Sequence, residues 1–587
     1  MSFARSPAIG VAGRLPRWLQ MALAVLAVLL GGFLMIRPTL SLGVLALLVG
    51  AGFVVHGALV LIGDRDEDAE QATWWRRVRM VEGVLWIAAG AFVVAFMGLT
   101  VRLLAIVIAA GLIVTGVRSL VEALRRGSSG DTRIASGALG LASVGLGLLA
   151  LLWPDITLLV AAVAFGARLL LIGLVQGRTA LLGETPRTMP RPAGRFRRLM
   201  RMTGAIVALL LVVGAGAVSV GLHEGSPVVD DFYAAPRGVP DAPGQLIRSE
   251  PFTRGVPEDA IGWRILYTTT RGDGSPAVAS GLVVVPKAGD GDWPVIAWHH
   301  GTTGFGQQCA PSLLDEPFAS GALFTLPEII DQGWALVAPD YIGLGAAGPH
   351  PYLIGEDSAH ASLDAAGAAQ QLAPARISAD TVLWGHSQGG GAALWSGALA
   401  ADYAPGLEIH GVAALAPAAN LPGLVDHLPN VTGGSVFASF VVAAYTATYP
   451  DITWREYIRP GAEQMIRSMS ERCLSEPGML VSVLDALALS RDPEVFRKDP
   501  ATGPFGVRLQ QNVPPATIPV PVLIGQGAAD TLIIPAAQQD YVEQAQANGE
   551  QIDYRTYPGL DHVPLVEAGS PLIPELLAWT QDRFADS

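Results

Sequence analysis

A short glycine-flanked segment carries the clearest chemical signal in the chain. The segment 385–389 reads Gly-His-Ser-Gln-Gly, and it lies directly between a predicted strand, 381–384, and a predicted helix, 390–400. A strand-to-helix turn this tight leaves no room for side chains two positions on either side of the serine, and it lifts the hydroxyl clear of the sheet. The first N–H groups of the following helix then face an incoming oxyanion. The pattern predicts that Ser387 is a nucleophile.

A nucleophilic serine needs a base and an acid, and the sequence offers one of each after a later strand. Asp530 follows the predicted strand 520–524, and His562 follows the predicted strand 552–557. We expect the histidine to take the serine proton and return it to the leaving alcohol, while the aspartate orients the ring and stabilises its charged form. Asp561 is a competing acid, but a chain neighbour of the histidine is badly placed to reach its far nitrogen.

Two backbone amides should bind the oxyanion. One is the N–H of Gln388, which follows the nucleophile. The other should come from the segment 299–304, His-His-Gly-Thr-Thr-Gly, whose small residues let the backbone approach a substrate carbonyl. We expect the Thr302 N–H to serve, with Thr303 as the alternative. We expect His386 to be a structural hydrogen-bonding residue beneath the turn rather than a base.

The elements around these residues predict an α/β fold. Short apolar runs alternate with helix-like stretches, which is typical of a parallel sheet covered on both faces. The predicted strands are 278–285, 295–299, 335–339, 381–384, 411–415, 520–524 and 552–557. The predicted helices between them include 358–374, 389–402 and 536–548.

A gap at about 417–515 interrupts this alternation and is too long for a loop in a compact domain. It predicts an inserted helical cap. Within it, the apolar stretch 435–445 is either an acyl-binding lining or lipid-facing lid, or a buried cap helix, because it is too short to span a bilayer.

Taken together, these motifs resemble the α/β-hydrolase superfamily and, within it, the secretory lipase family of fungi and actinobacteria. The resemblance spans about 245–580, and it also rests on Cys-Ala-Pro-Ser at 309–312 and Pro-Asp-Tyr-Ile-Gly-Leu-Gly at 339–345. It implies an α/β-hydrolase domain over 246–587 that cleaves carboxylic esters. It also implies a helical cap over the acyl site and a lipid or small ester as substrate.

The two halves of the 587-residue chain differ in composition. The whole chain is 51% hydrophobic and 15% charged, with a mean hydropathy of +0.42, whereas soluble proteins are ~25% charged. Residues 1–222 contain 21 basic and 10 acidic residues, and residues 223–587 contain 17 basic and 41 acidic residues. The acidic half argues against a nucleic-acid partner. The first half predicts a transmembrane domain, and the Pro-, Gly- and Asp-rich segment 223–245 predicts a linker.

Apolar stretches in the first half predict seven membrane spans. They lie at about 20–36, 42–62, 81–97, 103–122, 134–152, 156–176 and 203–222. The loops on one side carry seventeen arginines, whereas the alternate loops carry only Arg37 and Arg102. This bias predicts a multi-pass protein of a bacterial plasma membrane, with a cytoplasmic N-terminus and an extracytoplasmic hydrolase domain. The spans depart from the cleaved signal peptide of the secretory lipases.

The first six spans repeat as three hairpins, followed by one further span. A shift of 116 residues places Gly31 on Gly147, and a shift of 59 places Gly31 on Gly90. Small residues at such positions let helix backbones approach closely in lipid. These glycine-rich hairpins resemble the HdeD-like family of small bacterial acid-resistance membrane proteins over roughly 20–178. For His56 and Arg168, lone ionisable residues within spans, we expect packing or anchoring rather than transport.

Both cysteines, Cys309 and Cys473, fall in the half predicted to be extracytoplasmic. In an oxidising compartment such a pair predicts a disulfide, which would tie the loop after the oxyanion segment to the cap. We expect no cofactor, because the sequence shows no metal-ligand spacing and no phosphate-binding loop, and serine hydrolases need none.

Three functions are compatible with these features. The preferred interpretation is a membrane-anchored, extracytoplasmic lipase or esterase that forms an acyl-enzyme on Ser387. A peptidase or an acyltransferase on cell-envelope lipids would use the same residues. A membrane stress or transport protein with a non-catalytic hydrolase-fold module is the third, and the presence of Ser387, Asp530 and His562 together argues against it.

Overall fold

The structure is a computed structural model that describes residues 16–37, parts of 42–61, 72–124, 130–182, 194–224, 227–490 and 495–585. It divides into two compact units. The first contains Met1–Glu224 with the short segments Ile458–Met465 and Leu484–Val495, and the second contains the rest of the chain.

The first unit is helical. Its long helices are α1 (Arg17–Ile36), α2 (Ala72–Ala95), α3 (Met97–Leu124), α4 (Gly130–Leu152), α5 (Pro154–Leu182) and α6 (Gly194–Glu224). Five described segments are long and apolar enough to cross a membrane: Arg17–Ile36, Leu103–Leu124, Arg133–Leu152, Pro154–Leu182 and Met202–His223. In α2 the apolar part is only Gly83–Ala95, because arginines occupy its first turns. The predicted span at 42–62 is described only in part, so the predicted count of seven is not confirmed.

Glycines lie at close contacts between helices in this unit. A Cβ atom added to Gly31 of α1 would lie 2.7 Å from the carbonyl oxygen of Gly166 in α5, and one added to Gly116 of α3 would lie 2.8 Å from that of Gly140 in α4. Accordingly, α1 packs mainly on α5 and α3 mainly on α4, whereas the chain neighbours α2 and α3, and α4 and α5, touch much less. The consecutive helices α2 and α3, and α4 and α5, are therefore not the pairs that pack most closely here, because the faces of small residues select the partners.

The second unit is built on a nine-stranded mixed sheet. Its strands are β1 (Leu246–Phe252), β2 (Ala260–Thr270), β3 (Pro276–Pro286), β4 (Trp293–His299), β5 (Ala335–Pro339), β6 (Ile377–His386), β7 (Glu408–Leu415), β8 (Val522–Gly527) and β9 (Ile552–Tyr557). Their order is β1-β2-β3-β5-β4-β6-β7-β8-β9. Neighbouring strands in the run β5-β4-β6-β7-β8-β9 pair in parallel, as predicted. The pairs β1–β2, β2–β3 and β3–β5 are antiparallel. The strands β1 and β2 were not predicted, since polar and charged residues interrupt their apolar pattern.

Helices cover both faces of this sheet. They are α7 (Leu326–Asp331), α8 (Gly355–Gln370), α9 (Gln388–Tyr403), α16 (Pro535–Ala547) and α17 (Leu572–Ala585). Trp384 of β6 packs in one apolar core with α7 and α17, whereas its neighbour Leu383 packs in another with α9 and α16. Residues alternate between two buried faces, so the strands read as continuous apolar runs.

The segment between β7 and β8 is a helical insertion. Its helices are α10 (Leu421–His427), α11 (Gly434–Thr448), α12 (Trp454–Tyr457), α13 (Glu463–Ser470), α14 (Met479–Ser490) and α15 (Gly503–Gln511). Short 3-10 helices in this unit are Asp231–Tyr233, Gln307–Cys309, Pro311–Leu313, Ala319–Gly321 and Leu428–Asn430.

The predicted linker needs one correction. Phe232 and Tyr233 are buried in an apolar cluster with residues of β2 and β3, and the Tyr233 hydroxyl shares a hydrogen bond of 2.8 Å with Ser312. Apolar burial of these two rings makes 231–233 part of the domain. The stretch 223–245 is therefore not a free linker over its whole length.

Candidate active site

Ser387 occupies a strained turn between β6 and α9. Its backbone lies at φ 57° and ψ −120°, a conformation that costs free energy for a residue with a side chain. The turn closes because the flanking positions are glycines. A Cβ on Gly389 would collide with the His299 carbonyl oxygen, and one on Gly385 would collide with the Gly389 carbonyl. The strained conformation predicted for the serine is thus present.

The loops after β8 and β9 bring Asp530 and His562 to this serine. His562 Nε2 lies 2.8 Å from Ser387 Oγ, and His562 Nδ1 lies 2.8 Å from Asp530 Oδ2. When the Nδ1–H donates to the carboxylate, Nε2 keeps its lone pair for the serine proton. The three residues are buried: the Asp530 side chain has no exposed surface and that of His562 is 11% exposed.

Backbone and side-chain donors fix the orientation of Asp530. Its Oδ1 accepts hydrogen bonds from the N–H groups of Leu532 (2.9 Å) and Ile533 (2.8 Å), and its Oδ2 accepts one from Gln526 Nε2 (3.2 Å). A carboxylate held in this way keeps the imidazole in one tautomer and one orientation.

The structure also places the two residues that compete for these roles. Asp561 accepts hydrogen bonds from the backbone N–H groups of Thr531 (2.9 Å) and His562 (2.8 Å), so it stabilises the loop and does not bond the ring. His386 Nε2 donates to the backbone carbonyl of His562 at 3.1 Å. Burial lowers the pKa of His386 well below its ordinary value, and the neighbouring His562 adds to this effect. A neutral His386 thus supports the backbone of the base.

The predicted oxyanion residues lie on the loop after β4 and at the start of α9. Within the described residues, neither the Thr302 N–H nor the Gln388 N–H donates a hydrogen bond to another protein group. The Thr302 side chain is engaged, because its Oγ1 lies 2.9 Å from the Tyr352 hydroxyl. Both amides are thus available to a substrate oxygen.

A buried histidine holds the side chain of Gln388. The side-chain Nε2 of Gln388 donates to His350 Nε2 at 3.1 Å, and His350 Nδ1 donates to the Ile342 carbonyl at 3.1 Å. Burial lowers the pKa of His350 to about 3, so its ring stays neutral and keeps an acceptor for the glutamine. His350 and Tyr352 could not be recognised from the sequence, since contacts across 38 and 50 residues leave no local pattern.

A disulfide joins this loop to the insertion. Cys309 and Cys473 are bonded, with their Cα atoms 5.2 Å apart. Beside the bond, the Leu474 N–H donates to the Thr303 carbonyl at 2.9 Å. The predicted pairing therefore positions the chain directly after Thr302.

A buried carboxylate supports the same loop from below. Asp340 accepts hydrogen bonds from Ser280 Oγ (2.5 Å), from Ser312 Oγ (2.6 Å) and from the Ser312 N–H (2.9 Å). Burial raises the pKa of Asp340, and the serine donors oppose that shift. The carboxyl group therefore ties β3, β5 and the segment after Cys309 together.

An apolar pocket opens at the serine. It has a volume of about 300 Å³ including its mouth. Its lining is Tyr352, Leu353, Ser387, Gln388, Ala418, Leu424, Leu428, Phe437, Val441, Leu532 and Ile533. Phe437 and Val441 belong to α11, whose residues are mostly buried. The stretch 435–445 therefore combines two of the alternatives: it is a buried cap helix and it lines the pocket.

One described group of side chains could hold a metal ion, and it lies away from the serine. Asp380, Glu408 and His410 place their ligand atoms within 4.8 Å of one another at the amino ends of β6 and β7. The serine follows the carboxyl end of β6. The absence of a cofactor at Ser387 remains a prediction.

The C-terminal unit has the fold of the α/β-hydrolases. Residues 321–587 match the model of the secretory lipase family. Residues 22–78, 81–144 and 138–188 match a short repeat of unknown function, DUF308. The family resemblances of both halves are thereby confirmed.

Known proteins are similar to large parts of this chain. Lipase 6 of Candida albicans is 28% identical over 274 residues, covering 42% of this chain and only 57% of that protein. Secreted triacylglycerol lipase LIP3 of Malassezia restricta is 24% identical over 417 residues, covering 66% and 86% respectively. The crystal structure of Candida antarctica lipase A in its closed state superposes with a TM-score of 0.50 at 22% identity. The superposition covers 61% of this chain and 87% of the lipase A chain, and it supports the fold assignment.

Proposed function

We propose that the C-terminal domain hydrolyses carboxylic esters through an acyl-enzyme on Ser387. The observation that carries the proposal is the chain of two 2.8 Å contacts from Ser387 Oγ through His562 to Asp530, at a strained turn. A nucleophile, a base and an orienting acid in this geometry are the arrangement that acyl transfer through a serine requires.

Each residue then has a defined step. Ser387 Oγ attacks the ester carbonyl carbon while its proton passes to His562 Nε2, and the Thr302 and Gln388 amides bind the oxyanion. The tetrahedral intermediate collapses, the ester C–O bond breaks, and the alcohol leaves with the proton from His562. A water molecule then attacks the acyl-enzyme by the same route in reverse, which releases the acid and restores Ser387.

The substrate class follows from the pocket and the relatives. The lining beyond Ser387 is almost entirely aliphatic and aromatic, which suits an acyl chain rather than a peptide or sugar. The aligned proteins are named lipases. We therefore propose a lipid or small carboxylic ester as substrate.

We also propose that the N-terminal helices anchor this domain in a membrane, with the hydrolase domain outside the cytoplasm. Five apolar helices, the arginine bias of the loops and the Cys309–Cys473 disulfide support this topology. A C-terminal epitope tag tests it. The tag should be accessible to antibody on intact bacterial spheroplasts, and accessibility only after permeabilisation would contradict the topology.

The activity test uses the full chain in detergent micelles with p-nitrophenyl butanoate, beside the Ser387→Ala variant. We expect the parent to turn over the ester and the variant to lose at least about 10³-fold in kcat. A fluorophosphonate probe, which reacts with activated serines, should label only the parent. Labelling without turnover of any ester would point to the peptidase or acyltransferase alternative. The absence of both turnover and labelling would contradict a catalytic Ser387.

A further inference from the structure

A second pocket lies beside the one at Ser387, and the proposed reaction leaves it unused. It has a volume of about 250 Å³ including its mouth. Its lining is Leu353, Ile354, Gly355, Ser358, Gln388, Gly391, Ala392, Trp395, Ala418, Leu421 and Asn512. The two pockets share Leu353, Gln388 and Ala418, so these residues form the wall between them.

Leu353 is the part of this wall that a substitution can remove. Ala418 contributes only a methyl group, and Gln388 supplies an amide to the proposed oxyanion site. Leu353 is buried, with 7% of its surface exposed, and it lines both pockets.

The backbone of Leu353 is strained. Its φ of 57° lies in the left-handed region, which costs a leucine free energy that glycine would not lose. The Tyr445 hydroxyl donates to its carbonyl at 3.3 Å and helps to hold this conformation. Strained residues persist where the surrounding structure fixes them, and they cluster at ligand sites.

The second pocket suits a hydrocarbon chain. The described lining contains no acidic or basic residue. The polar groups of Asn512 and Trp395 in this lining are engaged: Asn512 Oδ1 accepts from the Gly355 N–H at 3.0 Å, and Trp395 Nε1 donates to the Asn512 carbonyl at 3.1 Å. Such a lining gains from methylene groups and offers little to a charged head group.

We infer that Leu353 is a specificity-determining residue that limits the length of the acyl chain. The inference rests on the proposed ester hydrolysis. The Leu353 side chain ends the acyl site within the first pocket, so the enzyme favours short acyl chains. Removing that side chain joins the two pockets and admits longer chains.

The test compares p-nitrophenyl acetate, butanoate, octanoate and dodecanoate with the full chain in micelles. The variants are Leu353→Ala and Leu353→Gly, the second of which also relieves the backbone strain and keeps the test valid where the alanine folds poorly. We expect kcat/KM for the dodecanoate ester relative to butanoate to rise about tenfold in both variants. Fluorophosphonate titration gives the concentration of active enzyme for each preparation.

A matched control separates this effect from general loosening. Leu363→Ala truncates a buried leucine of α8 that lines neither pocket, and it should leave the ratio unchanged. In the Leu353→Ala background, Leu421→Phe should refill the second pocket and return the ratio toward that of the parent.

The outcomes are distinguishable. Turnover by the parent with an unchanged ratio in both Leu353 variants overturns the inference, as does an equal rise in Leu363→Ala. A parent that already prefers dodecanoate to butanoate also overturns it. Absence of turnover and of labelling in the parent overturns the proposed function itself.

Discussion

Glycine serves different purposes in the two units of this chain. In the helical unit, Gly31 and Gly166 let two apolar helices touch along their backbones. In the hydrolase domain, Gly389 makes room for the His299 carbonyl beneath a strained serine. The same residue type thus supports packing in one unit and chemistry in the other. What distinguishes them is whether buried polar groups converge nearby.

Two residues of the active site and two arginines of the helical unit show a similar contrast. In the hydrolase domain, Asp530 and His562 are buried and hydrogen-bonded to each other and to Ser387. In the helical unit, Arg118 and Arg168 are exposed side chains on apolar helices. The packing or anchoring role expected for Arg168 remains a prediction, and His56 lies outside the described residues.

The largest effect is expected at the acid. Asp530→Asn should lower kcat by about 10⁴-fold, because an amide donates to the ring and favours the wrong tautomer. Asp561→Asn is the matched control, and its loss should stay within about tenfold since Asp561 bonds only loop N–H groups and Thr531. Equal losses of ester hydrolysis in the two variants would contradict the assignment of Asp530, rather than Asp561, as the acid that orients His562.

Two glycine substitutions sharpen the comparison between the units. Gly389→Ala should reduce kcat by about 10²-fold or more, because the collision with His299 displaces Ser387. Gly166→Ala should weaken the packing of α1 on α5 by about 1–3 kcal/mol and leave kcat unchanged. Ester hydrolysis and heat-induced aggregation of the purified full chain measure the two effects. Loss of kcat in the second variant would contradict the separation of roles.

The buried histidines predict a stability change with pH that is specific to the hydrolase domain. Burial lowers the pKa of His299 and His300 to about 4 and that of His350 to about 3. Because the unfolded chain binds these protons near pH 6.5 and the folded domain does not, the stabilisation is complete above pH 6.5 and is lost as the pH falls toward 4.

Each such histidine should cost about 1 kcal/mol of unfolding free energy per pH unit below 6.5. Urea unfolding followed by fluorophosphonate labelling at several pH values measures the slope. His300→Gln should make the slope shallower, and an unchanged slope would contradict its neutral burial.

The smallest effect is expected at the oxyanion loop. Tyr352→Phe removes the hydroxyl that contacts Thr302 Oγ1. We expect kcat to fall about fivefold with little change in KM, because the Thr302 amide is less well fixed when charge develops on the substrate oxygen. An equal rise in KM would instead indicate that Tyr352 acts on substrate binding.

The three residues proposed to react could be predicted from the sequence, whereas the residues that support them could not. Ser387, Asp530 and His562 each follow a short apolar run, and local order along the chain is enough to place them at one edge of a sheet. The contacts of His350 with Gln388 and of Tyr352 with Thr302 depend on tertiary packing, so no spacing indicates them.

The fold shows the same limit. The parallel strands are visible in the sequence because burial on both faces makes them continuously apolar. The antiparallel β1 and β2 are not, since charged residues such as Arg248 and Arg264 interrupt their pattern. The repeat of glycines along the helical unit is visible, but the pairing of α1 with α5 is not, because periodicity does not name a partner.

The most direct test of the account is to trap the acyl-enzyme. The full chain is mixed with p-nitrophenyl butanoate, quenched in acid and digested, and the peptides are analysed by mass spectrometry. We predict a butanoyl group on the peptide containing Ser387, and none at that position in Ser387→Ala. A butanoyl group on another residue would contradict this prediction. The same holds if the ester is turned over but no butanoyl group is found on Ser387, even in Asp530→Asn, in which deacylation is slow.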